Sequence, residues 1–459
     1  MTTIFAPTAL LPDGWADNVL VVVDKDGWII GVDTFKNPKD TSDTEFLTGP
    51  LIPGIPNTHS HAFQRALAGL GERASGKKDT FWSWRDMMYR FLSFIEPEDM
   101  EPLAAQVFVE MLKAGYTSVG EFHYIHHEQD GHPYGDHALM SRQVIRAALE
   151  TGIAITHMPA LYAYGGFNEA PPEGGQKRFL NSVPSLMRII EELHGEYSST
   201  PQVTIGMAHH SLRAVSPDML REGTEAVRKL IPNAPIHILV ASQQQEVTDC
   251  IAWSGQRPVA WLLDNANVDD KWCFVHATHM DDAEISALAH SGVTVALCPS
   301  SEANLGDGVF PLVKYFTAGG KFAIGTGSNI RLNATEELRW LEYVQRLVHR
   351  ERTLLRQSDI PSVGGTLIDR VLSGGASALG RKTGRIEIGH RADFIVLDPD
   401  MPVMTDKFRD HILDAAIFAC NRNPVRDVMA GGRWVVRNRR HKREDQTLDK
   451  FRDVMQKLK

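Results

Sequence analysis

Short apolar runs alternate with longer amphipathic segments from about residue 51 to about residue 354. The apolar runs are 51–56, 117–122, 153–161, 203–208, 236–241, 273–276, 294–298 and 322–325, each rich in Val, Ile, Ala or Phe and each followed by a polar loop. Between them, 104–114, 137–151, 182–194, 281–290 and 335–350 carry apolar residues at helical spacing. Strand alternating with helix predicts a parallel sheet, because parallel neighbours need a crossover. Eight such units predict a (β/α)₈ TIM barrel over 51–374, although a doubly wound sheet gives the same alternation. The chain ends follow another pattern. Residues 20–23 and 27–32 form a hairpin-like pair around Asp24-Lys25-Asp26-Gly27, and 393–397 and 434–436 are short strands flanked by Gly turns. Residues 1–50 and 375–459 are therefore expected to build one small, β-sandwich-like accessory domain from both ends.

Composition narrows the partners. The chain has 459 residues, is 43% hydrophobic and carries a formal charge of −9. That length suits a barrel plus an accessory domain. The negative balance argues against a nucleic-acid or anionic-membrane surface. The basic run Arg437, Arg439, Arg440, Lys442 and Arg443 has no interleaved aromatics on which bases could stack, so it is expected to be a solvated loop. Cys250, Cys273, Cys298 and Cys420 are far apart with no CxxC pair, which fits a reducing compartment. Neither a signal-peptide pattern nor an apolar stretch of membrane-spanning length stands out, and the expected location is the cytoplasm.

In a parallel barrel the C-terminal ends of the strands converge on one site. The first apolar run leads into Asn57-Thr58-His59-Ser60-His61. Histidines at i and i+2 share a strand face about 6–7 Å apart, close enough to bind one metal ion. Pro53-Gly54-Ile55-Pro56-Asn57-Thr58-His59-Ser60-His61 resembles the first-strand signature of the amidohydrolase superfamily. Gln64-Arg65, Phe81-Trp82-Ser83-Trp84-Arg85, Glu121-Phe122-His123-Tyr124, His210-Ser211-Leu212-Arg213, Val275-His276-Ala277-Thr278-His279 and Ser301-Glu302-Ala303-Asn304-Leu305-Gly306-Asp307-Gly308 resemble the formimidoylglutamate deiminase family specifically. The tail segments 389–397 and 428–436 resemble the superfamily's closing β-structure.

The resemblance implies a zinc enzyme of histidine degradation that converts N-formimidoyl-L-glutamate and water to N-formyl-L-glutamate and ammonia. It implies zinc held by His59, His61, a fifth-strand histidine and an eighth-strand aspartate, with a fifth-strand glutamate and His276 handling protons. It further implies Gln64, Arg85, Tyr124, His210 and Arg213 as substrate-binding residues, a small acidic amino-acid derivative as ligand, and a homodimer. Trp82 and Trp84 are expected to pack or cover the pocket.

Three positions depart from the family pattern. In His237-Ile238-Leu239-Val240-Ala241-Ser242-Gln243-Gln244, Leu239 stands where the metal histidine belongs and Ser242 where the glutamate belongs. In Gly325-Thr326-Gly327-Ser328, Gly327 replaces the aspartate, and Asn329 follows where a histidine is common. No neighbour is expected to substitute: His237 lies lower on the strand, Glu246 and Asp249 fall on the next helix, and His209 faces away from the site. The expectation is the fold without efficient hydrolysis. The site would then hold remnants only, His59 and His61 for metal and His276 for chemistry, with no tightly bound cofactor and at most weak zinc. Two other readings stay open: an active deiminase with an unorthodox metal site that includes His276, and a non-catalytic binding or assembly partner.

Overall fold

The computed structural model describes residues 1–34, 44–73 and 79–458. The expected barrel is present. Ile55–Ser60, Tyr116–His123, Ala154–Leu161, Met207–His209, Ile236–Val240, Trp272–His276, Thr294–Leu297 and Lys321–Ile324 follow one another as parallel neighbours. The first and eighth strands meet through a Ser60–Gly327 bridge, and the Thr326 and Gly327 amides both donate to the His59 carbonyl at 2.9 Å. Tyr116–His123 and Ala154–Leu161 are buried at every position, because one face meets the barrel interior and the other the helices. The expected helices appear as Pro97–Lys113, Leu139–Thr151, Val183–Tyr197, Asp282–His290 and Ala334–His349. Pro97 opens the first of these at a position where a missing N–H costs nothing.

The expected first strand, 51–56, is in fact two. Leu51–Pro53 pairs with Phe394–Leu397 in the accessory sheet, and the barrel strand begins at Ile55. Gly54 is the joint. A Cβ there would lie 2.2 Å from Thr117 Oγ1, so only glycine lets the two strands approach this closely. Its amide donates to Asp393 O at 2.8 Å. At the other boundary, the helix Val363–Leu379 runs through the expected limit at 374 and covers the barrel floor. There the carbonyls of Ala378 and Leu379 accept from His237 Nε2 and Thr156 Oγ1, both at 2.8 Å.

Both chain ends enter one continuous sheet. Its order is Arg440–His441, Arg433–Arg437, Val425–Ala430, Phe394–Leu397, Leu51–Pro53, Thr2–Leu11, Gly14–Val23 and Ile29–Thr34. Val19, Val21 and Val23 alternate inward against Ile4, Phe394, Val396 and Met429, the period-2 burial of a one-sided sheet. The long strand Thr2–Leu11 was not among the expected elements. The hairpin was, but its second arm starts at Ile29, since Asp24 Oδ1 accepts from the Asp26 and Trp28 amides and draws Gly27 into the turn. The basic run is solvated, as expected, but forms a hairpin rather than a loop: Arg437, Arg440 and Lys442 are exposed, with Arg437 ending one strand and Arg440 opening the next. Arg437 pairs with Glu45, Arg439 with Asp398 at 2.5 Å and Arg443 with Glu150 at 3.4 Å, partners that tertiary structure brings in, while Arg440 pairs locally with Asp445 at 2.8 Å. No helix among the described residues is long and apolar enough to cross a membrane.

Candidate active site

A cavity opens at the C-terminal ends of the barrel strands. His59, His61, Gln64, Arg85, Tyr124, His210, Arg213 and His276 all line it. The sequence motifs that carry these residues are thus brought to one place. Leu239, Ser242 and Gly327 line the same cavity.

Three imidazoles gather on one side. The His59 ring lies 4.6 Å from that of His61 and 5.8 Å from that of His276, centroid to centroid. His61 Nδ1 contacts the Phe122 carbonyl at 2.8 Å, which fixes its ring. Neither nitrogen of His59 has a hydrogen-bond partner among the described residues. Burial, reinforced by the neighbouring imidazoles, holds His59 well below the usual histidine range and takes His61 down to about 4. Both are neutral at pH 7, the state in which imidazole binds a metal. His276 differs. Burial lowers its pKa, but the Glu302 carboxylate 3.0 Å from Nδ1 more than reverses this and leaves it raised.

The other side is built to hold anions. Arg85 lies over the Trp82 ring at 4.7 Å and Arg213 over the same ring at 5.6 Å, so one indole carries both guanidiniums. The Nε of each arginine is buried with no partner among the described residues. Buried donors of this kind are normally satisfied, so a ligand with acceptor oxygens fits here. Gln64 donates to the Tyr124 hydroxyl at 2.8 Å, and His210 packs 4.4 Å from the Tyr162 ring with its Nδ1 3.0 Å from Ser211 Oγ. Trp84 also lines the cavity.

The three departing positions contribute no ligand atom of the expected kind. Leu239 presents an alkyl chain. Ser242 contacts the carboxylate of Glu246, with its amide 3.3 Å away and Oγ 3.5 Å away. Glu246 is on the helix Gln244–Ser254, as expected, but its carboxylate turns back to cap that helix's approach and does not line the cavity. Gly327 sits at φ +49°, and a Cβ there would meet Ser301 Oγ at 2.9 Å. Asn329, also in the left-handed region, is fully committed: it accepts from Thr326 Oγ1 and donates to His61 O and Ser60 Oγ. His209 faces outward to Thr224 at 3.0 Å. Of the zinc shell that the resemblance implies, His59 and His61 fit, and Leu239 and Gly327 offer no side-chain donor of their own.

Sequence reasoning left some residues without a role. Glu302 orients His276, and Asp307 lines the cavity with its Oδ1 accepting from Gln243 Nε2. Both lie in the quoted Ser301–Gly308 motif, yet no spacing rule ties a carboxylate there to a histidine some 26 residues earlier. Backbone strain marks the same region: Ala241, His276 and Ala277 take positive φ at the ends of the fifth and sixth strands.

Comparison with known proteins agrees with this architecture. The model of the amidohydrolase family matches residues 51–435, and that of the formimidoylglutamate deiminase HutF N-terminal domain matches residues 1–42. A formimidoylglutamate deiminase from Pseudomonas aeruginosa is 45% identical over 459 residues, covering 100% of both chains. The crystal structure of an amidohydrolase from Brucella melitensis superposes with a TM-score of 0.93 at 42% identity, again over 100% of both chains. An adenosine deaminase from Xanthomonas campestris with bound zinc shares the fold, with a TM-score of 0.83, 22% identity and coverage of 100% of this chain and 98% of that one.

Proposed function

The chain belongs to the amidohydrolase family, and within it to the formimidoylglutamate deiminases; from that premise we propose that it binds the family's acidic substrate without hydrolysing it efficiently. One observation carries this reading. Leu239, Ser242 and Gly327 face the same cavity as His59, His61 and His276, so the replaced positions border the place where water would be activated. A zinc bound by neutral imidazoles and a carboxylate supplies a water acidic enough to ionise near neutral pH. Here two of those donors are absent, and the carboxylate that would carry the proton is a serine.

The magnitudes favour lost turnover. Changing even a residue behind a ligand costs about 10–100-fold in metal affinity or activity. A positioned proton-transfer group contributes about 10²–10⁴-fold. These losses do not add, because each group depends on the others. Binding rests on different residues. Arg85 and Arg213 would each pair with a carboxylate of a glutamate derivative, and Gln64, Tyr124 and His210 would supply neutral hydrogen bonds. The test is direct. Elemental analysis of the purified chain should find substoichiometric zinc, N-formimidoyl-L-glutamate should release no ammonia, and calorimetry should detect N-formyl-L-glutamate binding. One firmly held zinc per chain together with ammonia release would overturn the reading.

A further inference from the structure

Asp307 is the carboxylate of this cavity with capacity to spare. It follows the short helix Pro299–Leu305, and its main chain is pinned: the amide donates to Glu302 O at 2.9 Å and the carbonyl accepts from His279 Nε2 at 2.7 Å. The carboxylate accepts from Gln243 through Oδ1. Glu302, five residues before it, is already engaged by His276 at 3.0 Å and by the Cys298 amide at 2.9 Å. Glu246 does not line the cavity. A ligand entering beside His276 therefore meets Asp307.

Resting on the dicarboxylate reading above, we propose that Asp307 is a specificity-determining residue that recognises a cationic formimidoyl group, so that the chain prefers an amidinium-bearing dicarboxylate to its neutral formyl counterpart. A formamidine is a strong base and is protonated at neutral pH. Its planar cation offers parallel N–H donors that match a carboxylate in two-point fashion, whereas a formyl oxygen offers only lone pairs and is repelled. The replaced positions strengthen this selection. Leu239 and Gly327 supply no ligands for a divalent cation that would repel the amidinium. Burial raises Asp307 to about 7, partly offset by His276, so the empty cavity holds it partly protonated and an amidinium placed against it would draw it into the ionised form. The cavity then reads both ends of one molecule, guanidiniums for the carboxylates and a carboxylate for the amidinium.

Calorimetry on the full chain tests this with N-formimidoyl-L-glutamate and N-formyl-L-glutamate as a matched pair. The wild type should bind the formimidoyl ligand at least about tenfold more tightly. Asp307→Asn should bring the two affinities together while keeping that for the formyl ligand, and Asp307→Glu should keep the preference. Equal wild-type affinities, or a preference that survives in Asp307→Asn, would overturn the proposal. The wild-type comparison decides the matter alone if Asp307→Asn fails to fold. Binding of both ligands without preference defeats this inference only. Binding of neither defeats the dicarboxylate reading and this one with it.

Discussion

The two sides of the barrel mouth differ in what their side chains offer a ligand. On the arginine side, Trp82 carries both guanidiniums, Gln64 meets Tyr124, and buried donors await acceptors. On the metal side, His59 and His61 are neutral and correctly grouped, yet they face Leu239 and Gly327. Both sides rest on equally well-packed strands. The difference lies at the strand ends, while the barrel strands beneath both sides are continuous. Strand ends are covered by loops, and the core is filled by residues such as Phe274 and Phe322 that do not line the cavity.

On the reading proposed above, the largest expected effect comes from giving the metal side the donors it lacks. Leu239→His, Ser242→Glu and Gly327→Asp together should restore stoichiometric zinc and raise ammonia release by at least about 10³-fold, while each single change does almost nothing. The φ of +49° at residue 327 is tolerated by aspartate better than by most residues. Its Cβ would still press on Ser301 Oγ, which must turn away from Thr326 O and Ser328 Oγ. Zinc content is therefore measured before activity. A zinc-loaded triple variant that releases no ammonia would show that the arginine side is also impaired.

Next in size, Arg213→Ala should weaken N-formyl-L-glutamate binding about 10–100-fold by removing one charge-assisted pair. The same change should leave zinc loading of the triple variant untouched. If it abolished zinc binding, the two sides would be one coupled unit and the division would fail.

Much of this was legible before any coordinates. The eight barrel strands and their helices follow from periodicity and the pairing of His59 with His61 from strand-end position, whereas the convergence of His210, Arg213 and His276 on them was implied by the family motifs they sit in. What escaped was set by non-local contacts. Thr2–Leu11 carries no clean alternation, since Ile4, Phe5 and Ala6 are buried in succession, and its place is set by pairing with Gly14–Val23 on one side and with Thr44–Phe46 and Leu51–Pro53 on the other. The break at Gly54 depends on Thr117, some 63 residues on, and the ordering of the basic run depends on Glu45, Asp398 and Glu150. Glu302 and Asp307 stood in a recognised motif, but their roles arise from where the sixth strand ends.

Acid should separate the two sides by a smaller margin. His61 and His237 are lowered to about 4, and His157 and His209 to about 3, chiefly by burial. In the unfolded chain they take up protons near pH 6.5, in the folded chain only well below it. Their contribution to stability is therefore fully present above pH 6.5 and is lost as the pH falls towards 4 and 3. Each histidine contributes about 1.4 kcal/mol per pH unit inside that window. The urea midpoint should fall steadily between pH 6.5 and 5. From pH 8 to 6.5 affinity for N-formyl-L-glutamate should not weaken, since guanidiniums do not titrate there, and it should tighten slightly as Asp307 takes up a proton. A Kd that rose over that range would mean that histidines, rather than the arginines, hold the ligand.

The smallest effect is the most selective. Trp82 lies under both arginines and belongs to the helix Phe81–Leu92, whose residues are mostly only partly buried, so it can be changed with little risk to the core. Trp82→Leu keeps an apolar side chain but removes the π face that holds the two guanidiniums near each other. Exposed cation–π contacts are worth about 0.5–1 kcal/mol each. Calorimetry should therefore show N-formyl-L-glutamate binding weakened by about two- to fivefold. The thermal midpoint should move little, and the zinc content of the triple variant should not move at all. A loss as large as that of Arg213→Ala would mean the indole itself contacts the ligand. No loss would mean the arginines are placed by their own helix and loop, and the arginine side would then be a pair of independent charges rather than one assembled clamp.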